Sequence, residues 1–138
     1  MAEDGLDVDG LMARAWAARE RAYAPYSDFR VGAALLADDG RIFEGANVEN
    51  ASYGLSICAE RVAAVKAVSE GARAFRAIAV VSSSQEPTPP CGACRQFLSE
   101  FGPDMTVVSE GRKGTRAEWR LSDLLPAAFG PASLTSSA

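Results

Sequence analysis

Three cysteines, Cys58, Cys91 and Cys94, stand out in a chain of 138 residues that contains no histidine. Three thiols cannot all pair with one another within one chain, which leaves metal ligation or thiol chemistry. Cys91 and Cys94 are spaced i and i+3, so on the first turn of a helix their sulfurs face the same way and can share one ion. Cys58 would bring a third sulfur from a distant segment. A structural zinc site normally closes with four protein ligands, whereas three sulfurs without an imidazole leave the fourth position open, as catalytic zinc requires. Taken alone, a C-x-x-C at a helix start is equally a redox motif, and apolar surroundings would allow plain core cysteines. The additional Cys58-Ala59-Glu60 and the Pro90 that precedes Cys91 favour zinc.

Glu60 follows Cys58 by two residues, a rotation of roughly 200° on a regular helix, which places it poorly as a fourth ligand. With the metal off the helix end, its carboxylate could reach a metal-bound water and carry the proton. Three thiolates on Zn²⁺ also leave one excess negative charge, which weakens the metal as a Lewis acid. Arg61 and Arg95 are the neighbouring cations, and Arg61 is expected to support the thiolates from behind.

The elements that must position these groups are readable from periodicity. Apolar Val8, Leu11, Met12, Ala15 and Trp16 form the stripe of a first helix ending before Pro25. Val31 to Ala37, the turn at Asp39-Gly40 and Arg41 to Val48 read as a hairpin in a covered sheet. A deeply placed helix should run from Cys58 to about Glu70, with Gly71 as its C-cap. Ala77 to Ser82 reads as a buried strand and Ser83 to Pro90 as a Pro-containing loop. A third helix should run from Cys91 to about Phe101. Met105 to Ser109 is a further strand, Trp119 to Leu121 a short one, and Ser122 a cap for a helix at Asp123 to Leu125. Helices alternating with strands imply an α/β layered domain with a partly parallel sheet. Both cysteine clusters fall at helix N-termini, where the helix dipole favours thiolate.

Composition is that of one ordinary globular domain spanning 1–138, 48% apolar and 23% charged. Residues 1–7 and 132–138 are expected to be flexible, because they carry little apolar material. The net charge of −4 argues against a nucleic-acid partner, which needs clustered Lys and Arg. An acidic start without an apolar run, and no stretch long enough to span a bilayer, predict a cytoplasmic protein with no membrane partner.

Together, Cys58-Ala59-Glu60 and Pro90-Cys91-Gly92-Ala93-Cys94 match the all-cysteine form of the zinc-deaminase signature. The chain resembles the small homotetrameric cytidine deaminases from about Tyr23 to Pro131. The shared motifs are Pro25 to Ala34, Asn47 to Ala51, Cys58 to Arg61, Cys91 to Gln96 and Leu124 to Pro131. The resemblance implies a three-layer α/β/α fold with a mixed, partly parallel sheet of about five strands. It further implies one Zn²⁺ per subunit and hydrolytic deamination of cytidine and deoxycytidine at C4, with Glu60 as proton carrier. Asn47 and Glu49 would then bind ribose, Phe29 would stack on the base and Ala59 would contact substrate. Ala51, Tyr53 and Phe129 would reach the pocket of a neighbouring subunit in a homotetramer. Arg30, where a proline is common, and Ser52 and Gly54 beside Tyr53, depart from the pattern. The rival readings are a deaminase of a cytosine nucleoside antibiotic such as blasticidin S, a non-catalytic zinc module, and a base editor of DNA or RNA.

Overall fold

The computed structural model describes residues 5–135. Helix α1 (Val8–Arg19) is followed by strands β1 (Gly32–Ala37) and β2 (Ile42–Ala46), a 3₁₀ turn at Tyr53–Leu55 and helix α2 (Ala59–Ser69). Then come β3 (Phe75–Val81), α3 (Gly92–Ser99), β4 (Thr106–Glu110), β5 (Arg116–Arg120) and two short helices, α4 (Leu121–Leu124) and α5 (Pro131–Thr135). The five strands lie in the order β2-β1-β3-β4-β5. Among the described strands β3 and β4 are the one pair of neighbours that run parallel, and the helical crossover α3 joins them.

Alternation along the strands divides the core into two layers. Ala33 and Leu35 of β1, Val80 of β3 and Val107 of β4 pack with Ala59, Ala63, Ala64 and Ala67 of α2 and Leu98 of α3. Ala34, Ala79, Val81 and Val108 face the opposite way and pack with Leu11, Met12 and Ala15 of α1. This is the expected α/β/α sandwich, with α1 alone on one face and both cysteine-bearing helices on the other.

The burial of α2 is one-sided. Its alanines are covered while Val65 is 43% exposed, so the apolar valines do not sink the whole helix as their density suggests. The alanine face instead permits close approach to the sheet. A Cβ at Gly45 in β2 would fall 2.5 Å from the Ala59 carbonyl oxygen and the Ala63 nitrogen, a contact only glycine tolerates. Gly32 serves α1 in the same way, with a Cβ there 2.2 Å from the Ala15 oxygen.

Element ends differ from the periodicity reading in a few places. Cys58 and Cys91 are N-caps rather than first helical residues. β5 begins at Arg116, because Ala117 and Trp119 alternate inward between charged residues. α4 begins at Leu121, one residue before the expected cap Ser122, and Pro131–Thr135 are helical where no element was expected. Of the segments expected to be flexible, 1–4 and 136–138 lie outside the described residues. Within the remainder, Leu6 is buried and Asp7 accepts a hydrogen bond from Gly10 N–H at 2.9 Å as the cap of α1.

Candidate metal centre and substrate cavity

The starts of α2 and α3 converge and bring three sulfurs together. Cys58 caps α2, Cys91 caps α3 and Cys94 sits in the first turn of α3. All three Sγ atoms lie within 4.8 Å of one another, and Cys58 Sγ is 3.8 Å from Cys91 Sγ. Zn–S bonds of about 2.3 Å at tetrahedral angles put two sulfurs ~3.8 Å apart, so the cluster has the dimensions of a zinc site. Neither sulfur accepts a capping hydrogen bond from the backbone of its own helix, which leaves both available to a metal. Cys94 is buried, Cys58 partly buried and Cys91 exposed, so one side of the cluster is open.

Arg61, one turn after Cys58, directs Nη2 to Cys58 Sγ at 3.9 Å. Its Nε is buried without a hydrogen-bond partner among the described residues. A partly buried guanidinium facing sulfur is the counter-charge an all-thiolate centre needs. Hydrogen bonding from Cys94, then from Arg61 and Cys91, pulls the Cys58 thiol down to about 5 against the opposing effect of burial. Cys94 moves upward, because its proton is held between the two sulfurs and its site is buried. Arg95, the other candidate cation, points elsewhere: its Nε donates to the Pro90 carbonyl at 2.7 Å and its Nη1 to the Leu124 carbonyl at 2.9 Å. It braces the chain entering Cys91 rather than the sulfurs.

Beside the cluster is a cavity of about 310 Å³ whose walls include Cys58, Cys91, Glu60, Phe29, Asn47 and Glu49. Grooves of about 510 and 570 Å³ lie elsewhere, but they hold neither a cysteine nor Glu60, so chemistry rather than size singles out the smaller one. Glu60, on the second residue of α2, is 5% exposed. Burial pushes its carboxyl up to about 7, with a further upward push from Cys58 partly offset by Arg61.

Asn47 and Glu49 carry structural duties beside the cavity. The Asn47 amide accepts from Val31 N–H and donates to the Phe29 carbonyl, both at 2.9 Å. Glu49 accepts from the backbone N–H groups of Tyr26 at 3.0 Å and Ser27 at 3.2 Å, and from the Ser27 hydroxyl. These bonds hold its carboxyl below the usual range, the Ser27 hydroxyl first among them. Counting capacity, Asn47 retains one N–H and one lone pair and Glu49 one acceptor site, enough for a ligand hydroxyl.

The remaining expected residues divide by location. Ala59 is fully buried at the first position of α2 and does not line the cavity. Ala51, Tyr53 and Phe129 do not line it either. Tyr53 is 77% and Phe129 60% exposed, so both stand open on this chain's surface. Ser82 and Thr88 do line the cavity, joined by a 3.1 Å hydroxyl contact, and were not anticipated. The signal for Ser82 was its place just past β3, a strand of the parallel pair, since ligands gather at such ends.

Two helix starts that gather three sulfurs, and that set Cys58, Cys91 and the buried Glu60 on one cavity beside a mixed five-stranded sheet, are the arrangement of a zinc-dependent hydrolytic enzyme. The family model for the cytidine and deoxycytidylate deaminase zinc-binding region matches residues 7–110, and the chain belongs to that family. It is 49% identical over 134 residues to a cytidine deaminase of Sporosarcina psychrophila, covering 96% of this chain and 98% of the relative. It is 54% identical over 125 residues to that of Halalkalibacterium halodurans, covering 90% and 95%. The crystal structure of cytidine deaminase from Burkholderia pseudomallei superposes with a TM-score of 0.85 at 50% identity, covering 90% of this chain and all of that one.

Proposed function

We propose that the chain catalyses hydrolytic deamination of cytidine and 2′-deoxycytidine, converting each with one water to uridine or 2′-deoxyuridine and ammonia. The observation that carries this reading is the buried Glu60 carboxyl in the same cavity as the sulfurs of Cys58 and Cys91. Cys58, Cys91 and Cys94 would hold the zinc, which when bound would supply the chemistry of lowering the pKa of the attacking water. Glu60 takes the first proton of the attacking water to N3, then carries its second proton to the departing amino group, which leaves as ammonia. A carboxyl poised at about 7 suits both directions of transfer.

Phe29 offers its ring as a flat wall for the pyrimidine. Asn47 and Glu49 use their remaining hydrogen-bond capacity on ribose hydroxyls, and Ala59 contributes backbone at the start of α2. The exposed rings of Tyr53 and Phe129, with Ala51, complete the pocket of a neighbouring subunit in a homotetramer. A nucleoside without phosphate is favoured because no Lys or Arg lines the cavity, which also disfavours polymeric DNA or RNA. The protein acts in the cytoplasm in pyrimidine salvage.

Zinc content, oligomer size and loss of ultraviolet absorbance with cytidine, measured on one purified sample, test the reading. One zinc per subunit with cytidine turnover is expected. Turnover of blasticidin S with none of cytidine would transfer the site to the antibiotic. A zinc-loaded protein inert to both would make the centre structural.

A further inference from the structure

The segment Phe29-Arg30-Val31 forms one wall of the cavity through Phe29 and Val31, yet it precedes β1 and belongs to no strand. Its backbone polar groups need partners, and side chains supply most of them. Ser27 Oγ accepts from Phe29 N–H at 3.0 Å. On one side Asn47 takes the Phe29 carbonyl and the Val31 N–H, and its own backbone N–H donates to the Val31 carbonyl at 3.2 Å. On the other side stands Ser83, whose Oγ accepts from Arg30 N–H at 2.9 Å.

Arg19 fixes that serine. Its Nη2 donates to Ser83 Oγ at 3.2 Å, while its buried Nε has no hydrogen-bond partner among the described residues. Two N–H donors occupy both lone pairs of the hydroxyl and leave its proton for the Arg30 carbonyl, 3.5 Å away. A proline at position 30 would restrain the segment covalently but could not donate to Ser83. With arginine there, the backbone N–H is held by Ser83, and the side chain adds only a long contact from Nη1 to the Ala22 carbonyl at 3.5 Å.

We propose that Ser83, its hydroxyl oriented by Arg19, is a positioning residue that clamps Phe29-Arg30-Val31 against Asn47 and so sets where the Phe29 ring meets the substrate. Ser83 touches no reacting atom; it acts through Phe29. The inference rests on the reading of Phe29 as the wall for the pyrimidine. Loss of the clamp leaves the sulfurs and Glu60 in place, so substrate binding weakens while the chemical step is spared.

Steady-state kinetics with cytidine on the zinc-loaded full chain tests this, using Ser83→Ala, Ser83→Thr, Phe29→Ala and the Ser83→Ala/Phe29→Ala double variant, each with zinc content measured. Ser83→Ala is expected to raise KM about tenfold, as for one lost hydrogen bond in a binding wall, with kcat within about twofold and zinc unchanged. Ser83→Thr, which keeps the hydroxyl, restores KM. The double variant is no worse than Phe29→Ala, because the two act as one unit. Should Ser83→Ala fold poorly, Ser83→Cys keeps the volume and loses the strong acceptor, and its KM reads the same effect. An unchanged KM in a folded, zinc-loaded variant lacking the hydroxyl overturns the inference, as do multiplicative effects in the double variant. A normal KM for Phe29→Ala overturns the stacking reading instead. A raised KM there with a normal one for Ser83→Ala sinks the clamp alone.

Discussion

Arg61 Nη2 lies 3.9 Å from Cys58 Sγ, so the residue that follows the buried carboxylate turns its charge to the sulfur that precedes it. Cys58, Glu60 and Arg61 occupy the N-cap, second and third positions of α2. A single helix start thereby presents a ligand, a proton carrier and a counter-charge in different directions. Replacing Arg61 with alanine leaves an all-thiolate centre with its negative charge unopposed. Zinc affinity or turnover should fall by about ten- to a hundredfold, with Arg61→Lys intermediate because it lacks the planar donor fork. Zinc retained during dialysis against a chelator, together with kcat, checks this; full retention of both contradicts it.

Glu60→Gln should keep zinc and lose turnover by about 10³-fold or more, the scale of a missing acid-base group. Its effect on stability has the opposite sign. The folded carboxyl sits at about 7 against an ordinary 4.5, so between these values the fold binds more protons than the unfolded chain. Stability of the apo protein therefore falls as pH rises from about 4.5 to 7 and stays reduced above that. A shift of this size corresponds to roughly 3 kcal/mol. Chelated Glu60→Gln should thus unfold at higher denaturant than chelated wild type at pH 8, with the gap closing toward pH 4.5. Equal midpoints at pH 8 would show that burial imposes no such cost.

The parts of the centre that were legible in sequence were those whose residue types carry few alternative duties. Three cysteines without histidine, placed at two helix starts, leave little but a metal, and Glu60 beside them has no packing reason to be buried. The sheet was legible because β1 and β3 are apolar on both faces. What sequence concealed is tertiary hydrogen bonding between residues far apart in the chain. Asn47 and Glu49 read as ligand groups, yet much of their capacity is spent on the backbone of residues 26–31. Arg95 sits next to a cysteine but serves two carbonyls, since a long side chain's direction is set by whichever partner the fold supplies. Ser83 and Thr88 looked like loop composition alone, and Ser82 like the end of a buried strand.

Glu44 on β2 joins Arg14 and Arg21, which flank the C-terminal half of α1. The hydrogen bond from Arg14 is the chief cause of its lowered carboxyl pKa, and Arg21 adds to it against partial burial. A depressed carboxyl contributes stability above its unfolded value of about 4.5 and loses it as pH falls through the lower folded value. Both arginine partners are about half exposed, so solvent screening holds the contribution to about 1 kcal/mol or less. Glu44→Gln should lower the melting midpoint by about 2–3 °C at pH 7 and by progressively less in acid below pH 4. A difference that persists unchanged into acid would place the effect in packing rather than charge.

Gly45 sets the distance between β2 and the first turn of α2, because any Cβ there would press on the Ala59 carbonyl and the Ala63 nitrogen at 2.5 Å. Both contacts are backbone, so no side-chain rotation relieves them, and the helix start carrying Cys58 and Glu60 must move. Gly45→Ala should cost about 1–3 kcal/mol, the range of overpacked cores. It should also lower kcat disproportionately, since Glu60 lies between the two clashing residues and displacement of a proton carrier by about 1 Å can cost on the order of a hundredfold. Gly54→Ala is the control: a Cβ there meets nothing within 4 Å and should leave the denaturation midpoint near wild type. Denaturation midpoints and kcat measured in parallel separate the two effects. A Gly45→Ala enzyme that loses stability yet keeps full kcat would show that the catalytic carboxylate does not depend on this contact.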